Sequence, residues 1–136
     1  MNAPTSTTAI ILAAGQGTRM KSALAKVLHR MCGRTMLDFV IDAALAAGAD
    51  DAVVVVGHQR EAVKAHLAQR YGERVRTAVQ AEQKGTGHAV QCALPELSDT
   101  CKTALVLYGD TPLLRAEDLG RLLAVRGDSA LSLLTC

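Results

Sequence analysis

The stretch Ala9-Ile10-Ile11-Leu12-Ala13-Ala14-Gly15-Gln16-Gly17-Thr18-Arg19-Met20-Lys21 decides the fold. It begins as a short apolar run and continues into a glycine-spaced loop, which predicts a buried strand whose carboxyl end opens into the loop. Gly15 and Gly17 carry no Cβ, so backbone N–H groups can approach an anion closely. Arg19 and the later Lys26 supply positive charge for a phosphate chain. The stretch predicts a phosphate-binding loop, and an ordinary tight turn is the open alternative.

The sequence excludes two other phosphate-binding motifs. The dinucleotide motif G-x-G-x-x-G requires glycine where Met20 stands, and the P-loop pattern G-x-x-x-x-G-K-[ST] does not occur. Gly57-His58 also follows the second predicted strand, where a dinucleotide-binding protein carries an acidic residue for the ribose. These positions argue against an NAD(P)-dependent oxidoreductase.

Composition narrows the class of protein further. The 136 residues have a net charge of +2 and almost no aromatic side chains, which argues against a nucleic-acid partner. The four cysteines form no C-x-x-C pair, so we expect idle thiols in a reducing compartment. We see neither a secretory signal nor an apolar stretch long enough for a membrane. The sequence therefore predicts a cytoplasmic protein without a membrane partner.

Strand-like and helix-like segments alternate along the chain. Helical spacing of apolar residues predicts helices over 36–47, 61–71, 87–97 (with Pro95 able to stop it early) and 117–125. Apolar runs predict strands over 52–57, 75–79, 103–108 and 130–136, of which 52–57 and 103–108 are expected to be buried. This alternation predicts an α/β fold, a Rossmann-like, mostly parallel sheet with helices on both faces. Because the last strand runs into position 136, we expect an interrupted domain.

Two polar blocks follow predicted strands. Asp110 comes directly after strand 103–108 and suits a Mg²⁺ ligand, or equally the N-cap of a helix starting near Pro112. Gln80 opens the block 80–88, and its amide can both donate and accept, which suits the imide edge of a pyrimidine. Thr86 is a candidate helix N-cap in that block. The alternative for the whole block is a surface loop rich in turn-forming residues.

Other charged residues have simpler interpretations. We expect His66 on helix 61–71 to be solvated, and Arg70, Arg74 and Arg76 to form a solvated basic face. His58 and His88 each lie just beyond a glycine near a strand end, where a site role has no further support from the sequence.

Four blocks together resemble a known family. Residues 12–20 (L-A-A-G-x-G-T-R-M), 22–29, 80–88 (Q-A-E-Q-x-G-T-G-H) and 108–114 (Y-G-D-x-P-L) are similar, in order and spacing, to N-acetylglucosamine-1-phosphate uridyltransferases among the sugar-nucleotide pyrophosphorylases. The likeness covers essentially the whole chain. It implies that 1–136 is the N-terminal portion of a single nucleotidyltransferase domain. It also implies UTP and a sugar 1-phosphate as partners, Mg²⁺ as cofactor, and a role in making peptidoglycan precursors.

The resemblance also implies roles for individual residues. It places the uridine nucleotide on the first loop and uracil recognition on the second block. It assigns Lys26 to phosphate, Asp110 to Mg²⁺ and Arg19 to the charge of the departing pyrophosphate. The implied nucleotide-binding residues are Leu12, Ala13, Ala14, Gly15, Lys26, Gln80, Gly85, Thr86, Tyr108, Gly109 and Asp110, and the implied catalytic ones are Arg19, Lys26 and Asp110.

The chain departs from the family pattern in three ways. Ala25 and Thr35 stand where the family usually or often has proline, which would relax the loop that carries Lys26. The resemblance also implies that the sugar-binding residues and a second Mg²⁺ carboxylate lie beyond position 136. We therefore expect the 136-residue chain to bind UTP weakly, to synthesise no nucleotide sugar, and to self-associate through its uncovered sheet edge.

Overall fold

The computed structural model describes residues 6–15, 17 and 21–135. A parallel four-stranded sheet with the order β5-β4-β1-β6 forms its centre. The strands are β1 (Ser6–Ala13), β4 (Asp51–Val56), β5 (Val75–Val79) and β6 (Cys101–Tyr108), and two short strands, β2 (Arg30–Met31) and β3 (Arg34–Thr35), pair antiparallel beside it. The predicted Rossmann-like parallel sheet is confirmed.

Four helices connect the strands. They are α1 (Met36–Ala46), α2 (Arg60–Tyr71), α3 (Thr86–Ala93) and α4 (Ala116–Arg126), with short 3₁₀ turns at Lys26–Leu28, Gly72–Arg74 and Leu94–Glu96. Helix α3 gives way to a 3₁₀ turn whose first residues include Pro95, because proline cannot donate the hydrogen bond that would continue an α-helix. The early stop predicted at Pro95 is confirmed.

Helices cover both faces of the sheet unequally. Helices α1, α2 and α4 pack on one face, where Ile11, Val54 and Leu107 point toward them. Among the helices of the described residues, α3 alone covers the other face, where Ile10 and Val53 lie in a smaller apolar cluster. All the valines of β4 are at most 1% exposed, so the prediction that this strand is covered on both faces is confirmed.

The prediction that strand 103–108 is buried is only half right. Strand β6 pairs with β1 alone and forms the edge of the sheet. Its Leu105 and Leu107 are buried, whereas Val106 is 45% and Tyr108 is 53% exposed. The apolar run resembles that of a central strand, but α3 lies over β1, β4 and β5 and leaves this face of β6 uncovered.

The strand predicted over 130–136 is wrong for the residues that can be judged. Residues 130–135 have no strand structure, and Cys136 lies outside the described residues. Leu131 and Leu133 are more than 70% exposed. A strand requires a neighbouring strand to complete its backbone hydrogen bonds, and apolar side chains alone do not supply one.

A network of charges joins α1 to α2. Asp38 is 3% exposed and accepts hydrogen bonds from His66 Nε2 at 2.8 Å and from the Tyr71 hydroxyl at 3.2 Å. Arg70 pairs with both Asp38 and Asp42. The expectation that His66 is solvated is therefore wrong, because Asp38, 28 positions earlier, meets it across the helix interface.

The expected solvated basic face is also largely paired. Arg70 contacts Asp38 and Asp42, Arg76 pairs with Asp51, and Arg74 donates from Nε to the Asp50 carbonyl at 3.1 Å. These arginines are thus tied to neighbouring elements although their side chains stay partly open to solvent.

The two positions that depart from the family's prolines behave differently. Ala25 has φ −54° and ψ 133°, a conformation that proline also adopts, so the backbone before Lys26 keeps a proline-like shape. Thr35 caps α1 through a capping box: its Oγ1 accepts from Asp38 N, and its own N–H donates to Asp38 Oδ2. At position 35 the chain gains a cap that proline could not provide.

Candidate nucleotide site

The site lies at the carboxyl ends of the parallel strands, where open α/β sheets place their ligands. Strand β1 leads into Ala14 and Gly15, β5 leads into Gln80, and β6 leads into Gly109 and Asp110. Parallel pairing in register sets the ends of β1 and β6 side by side, with Leu12 opposite Tyr108. Residues nearly 100 positions apart are thereby brought to one edge.

A cavity of about 450 Å³ opens at this edge. Backbone from the first loop forms one wall, the start of α3 forms another, and the end of β6 forms a third. Its lining residues are Leu12, Ala13, Ala14, Gly15, Gly17, Lys26, Val27, Gln80, Gln83, Gly85, Thr86, Ala89, Tyr108 and Asp110. Every nucleotide-binding residue implied by the resemblance lines this cavity except Gly109, and Arg19 lies outside the described residues.

Gly109 sits directly behind the cavity wall. Its N–H donates to the Leu12 carbonyl at 2.9 Å, which ties the ends of β6 and β1 together. A Cβ at this position would lie 3.2 Å from Val27 Cγ1 and 3.3 Å from the Leu12 oxygen. Glycine therefore permits a close approach of two backbones and leaves the adjacent Asp110 at the cavity.

Lys26 and Asp110 form an ion pair at the cavity. Lys26 Nζ donates to Asp110 Oδ2 at 2.6 Å, and the two side chains are 39% and 37% exposed. The 3₁₀ turn Lys26–Leu28 holds the lysine, because its Val27 and Leu28 are buried against the core. Both charges therefore face solvent on one side and are within reach of a ligand.

The alternative role of Asp110 as a helix cap is wrong. Helix α4 begins at Ala116, and its N-cap position is occupied by Arg115. Asp110 instead lies in the turn directly after β6, in which Thr111 Oγ1 donates to the Tyr108 carbonyl at 2.8 Å. The carboxylate is thus available to the cavity and not to a helix terminus.

The donor set at Asp110 fits a divalent ion that a nucleotide helps to hold. Mg²⁺ in phosphoryl-transfer sites is bound by one or two carboxylates, with phosphate and water oxygens completing its shell. Asp110 is the only carboxylate lining the cavity in the described part of the chain. Residues 6–15, 17 and 21–135 contain no group of three His, Cys, Asp or Glu that could hold a metal by themselves.

The second block, which carries Gln80, folds back toward the first loop. Gln80 is 5% exposed, and its Nε2 donates to the Gly85 carbonyl at 3.1 Å and to His88 Nδ1 at 3.0 Å. Gly85 adopts φ +98°, a conformation that favours glycine, and takes the N-cap position of α3. The prediction that Thr86 caps this helix is therefore wrong: Thr86 is its first residue.

Two residues near the cavity, Gln83 and His88, were assigned no role from the sequence, although a site role for His88 was left open. Gln83 Nε2 donates to the Ala14 carbonyl and so joins the second block to the first loop. His88 contacts the Gln80 amide from α3. Both lie inside the block 80–88, but nothing in the local pattern distinguishes them from turn residues, because their partners are set by the folded backbone.

A bilayer-spanning helix needs about 20 apolar residues. Within the described ranges none of the helices meets the length and apolarity that a membrane span requires.

Comparisons with known proteins agree with this geometry. The "Bifunctional protein GlmU" of Sorangium cellulosum is 56% identical over 138 residues, covering 97% of this chain. The chain spans 29% of the length of that relative. The crystal structure of Rv0371c from Mycobacterium tuberculosis is similar with a TM-score of 0.74 and 26% identity, over 91% of this chain and 62% of that one.

A second structure of that mycobacterial protein is a complex with manganese. It is similar with a TM-score of 0.71 and 26% identity, over 89% of this chain and 59% of that one. The family described as "MobA-like NTP transferase domain" matches residues 9–134, nearly the whole chain. Because this family model covers most of the chain, the chain belongs to the MobA-like NTP transferase domain family.

Proposed function

We propose that this chain forms the nucleotide-binding part of a uridylyltransferase. The proposed reaction transfers the uridylyl group of UTP to N-acetylglucosamine 1-phosphate and releases pyrophosphate. The observation that carries the proposal is the meeting of the first loop, the Lys26–Asp110 pair and Gln80 around one cavity. The 56% identity to a GlmU protein and the family resemblance of the 80–88 block support uridine and N-acetylglucosamine as the specific substrates.

The reaction does not require an acid–base pair in the protein. A phosphate oxygen of the sugar 1-phosphate is already anionic and forms the new bond to the α-phosphorus of UTP, while the bond to the bridging oxygen of pyrophosphate breaks. The protein's task is then to align the reactants and to neutralise charge. This agrees with a cavity whose described lining has one lysine and one carboxylate and no histidine.

Each side of the cavity has a proposed part in that task. The backbone of Ala13, Ala14 and Gly15 lies against the nucleotide, and Lys26 neutralises phosphate charge. Asp110 holds Mg²⁺, which when bound supplies positive charge to the triphosphate. The manganese complex of the mycobacterial relative supports the use of a divalent metal ion. Arg19, outside the described residues, is proposed to stabilise pyrophosphate.

Two assays test the proposal. Calorimetry of the 136-residue chain with UTP, CTP, GTP and NAD in the presence of Mg²⁺ should give binding for UTP above the others. Pyrophosphate release from UTP and N-acetylglucosamine 1-phosphate should occur with the full-length protein. Preference for another nucleotide, or full-length protein that releases no pyrophosphate with this sugar phosphate, would contradict the proposed specificity.

A second candidate is nucleotide binding without turnover by these 136 residues. The observation that favours it is the single carboxylate at the cavity within the described part of the chain. The same pyrophosphate assay on the 136-residue chain distinguishes the two, because binding of UTP without pyrophosphate release supports the second candidate. Robust turnover by this chain would exclude it.

A further inference from the structure

The direction in which Gln80 presents its amide is set by the protein. The Gly85 carbonyl oxygen lies 3.1 Å from one atom of that amide. A carbonyl oxygen can only accept, so the amide atom facing it must be the NH₂ group. The second hydrogen of this group is directed at His88 Nδ1, 3.0 Å away. Both donor hydrogens of Gln80 are therefore used inside the protein.

This contact also defines the state of the His88 ring. Nδ1 accepts a hydrogen bond from Gln80 and so carries no hydrogen, which leaves the ring hydrogen on Nε2. Nε2 lies 3.8 Å from Cys92 Sγ, one helical turn further along α3. The thiol sulfur is a weak acceptor and so suits the Nε2–H. Gln80, His88 and Cys92 thus form one directed chain of donors and acceptors.

The remaining atom of the amide, Gln80 Oε1, is the one left for a ligand. Gln80 lines the cavity, and in the described ranges no group donates a hydrogen bond to Oε1. A glutamine that could rotate its amide would present either a donor or an acceptor. Here the amide atom left for a ligand is an acceptor only.

An acceptor at this place distinguishes two pyrimidines. Uracil carries a hydrogen on N3 and can donate it to Oε1, whereas N3 of cytosine has a lone pair and would face Oε1 as a second acceptor. A site that leaves two acceptors opposed loses a hydrogen bond and leaves polar groups unpaired on both sides. The orientation of Gln80 therefore favours uracil.

We propose that His88 is a positioning residue for base specificity: by accepting from Gln80 Nε2, it holds Oε1 toward the cavity and makes the site prefer uracil over cytosine. The proposal deepens the proposed function and rests on it. His88 does not itself line the cavity, so it acts through Gln80 and not by touching the nucleotide.

The first test needs no nucleotide. At about pH 8, where imidazole is neutral, the ring-nitrogen NMR signals of His88 in the 136-residue chain should report hydrogen on Nε2 and none on Nδ1. The His88→Leu variant should change the side-chain amide signals of Gln80. Hydrogen on Nδ1 would overturn the proposal directly, whatever the protein's function.

The second test measures base preference. NMR titration with UTP and with CTP in Mg²⁺ should show that His88→Leu lowers the preference for UTP by about fivefold to tenfold, the effect of one neutral hydrogen bond. His88→Asn should keep most of the preference, because Asn Oδ1 can accept near the place of Nδ1. Gln91→Ala, at an exposed position of the same helix, should leave both affinities unchanged.

The outcomes separate the two proposals. Equal weakening of UTP and CTP by His88→Leu, or no change of either, would overturn the role of His88 even where the wild-type chain prefers UTP. A wild-type chain with the expected His88 tautomer but no preference for UTP would contradict the proposed function, and the specificity role with it. Thermal unfolding of each variant shows whether a lost preference reflects a lost fold.

Discussion

Asp38 and Asp110 are both aspartates in contact with a basic side chain, yet their surroundings differ. Asp38 is buried between α1 and α2, where it contacts Thr35, His66, Arg70 and Tyr71. Asp110 is about one-third exposed at the cavity and contacts Lys26. The Asp38 carboxylate is surrounded by donors from two helices, whereas Asp110 has, among the residues that the structure describes, a single charged partner, the flexible Lys26 side chain.

The difference in burial determines how much each carboxylate contributes to the stability of the fold. A buried carboxylate must have its hydrogen bonds completed by the protein, since leaving it unpaired costs several kcal/mol. A half-exposed ion pair contributes little to stability, typically about 0–1 kcal/mol. Separating Lys26 from Asp110 therefore costs little free energy, so Lys26 is free to pair with a phosphate and Asp110 with a cation. Separating Asp38 from its buried donors costs much more.

The largest effect is expected for removing the buried carboxylate. Asp38→Ala should lower the free energy of unfolding by about 3 kcal/mol, because several buried donors lose their acceptor. Denaturant unfolding of the 136-residue chain measures this change. Asp110→Ala is the matched control and should change it by less than about 1 kcal/mol. Similar losses in the two variants would abolish the distinction between the two sites.

The complementary change at the cavity should affect rate and not stability. In the full-length protein, Asp110→Asn should lower turnover by at least about 10²-fold, the scale of losing one electrostatic element. Steady-state pyrophosphate release measures it, with thermal unfolding expected to match wild type. A near-normal rate at saturating Mg²⁺ would rule out the metal role of Asp110.

A smaller effect is expected when the base-facing amide is removed. Gln80→Ala should weaken UTP binding by about 1–3 kcal/mol, because the polar edge of uracil is left unpaired. Calorimetry with UTP and CTP measures both affinities on the same variant. If the two nucleotides lose affinity equally, Gln80 is not a discriminating contact.

Acid should remove the stabilisation that Asp38 gives to the interface between α1 and α2. Burial alone would raise the pKa of Asp38, but the hydrogen bonds from His66 and Thr35 outweigh it and hold that pKa below its usual value. The unfolded chain then binds a proton more readily than the folded one. The contribution of Asp38 is thus fully present above about pH 4 and is lost as pH falls through its lowered pKa.

This loss of stability can be assigned by comparing variants. Unfolding measured from neutral pH down to acid should show a shallower decline in Asp38→Asn than in wild type, since the amide does not titrate. Parallel curves for wild type and Asp38→Asn would show that other carboxylates dominate acid unfolding.

Local sequence was sufficient for most elements of this fold. Consecutive valines in β4 predict a strand covered on both faces, because no other environment removes so much branched apolar surface from water. The prediction failed at β6 and at 130–135, where the apolar content is similar. There the missing information is the number of neighbouring strands, which no local pattern contains.

The candidate site likewise has features that local sequence predicts and contacts that depend on packing. The glycine-spaced loop and the Asp110 and Gln80 blocks could be placed at strand ends from the sequence, since each follows an apolar run. The roles assigned to them by the family resemblance remain predictions, as do Mg²⁺ and self-association. The contacts of His88 with Gln80 and of His66 with Asp38 could not be predicted, because they depend on how the helices pack.

The sequence by itself determined the α/β alternation, the glycine-spaced loop after the first strand and the polar residues that follow β5 and β6. These features arise from hydrophobic periodicity and glycine geometry, which act over a few residues. The tertiary structure alone decided which carboxylate is buried and which stays open to solvent, and which atom of Gln80 is bonded inside the protein. Both depend on donors far away in the chain, and only the packed backbone brings those donors within hydrogen-bonding distance.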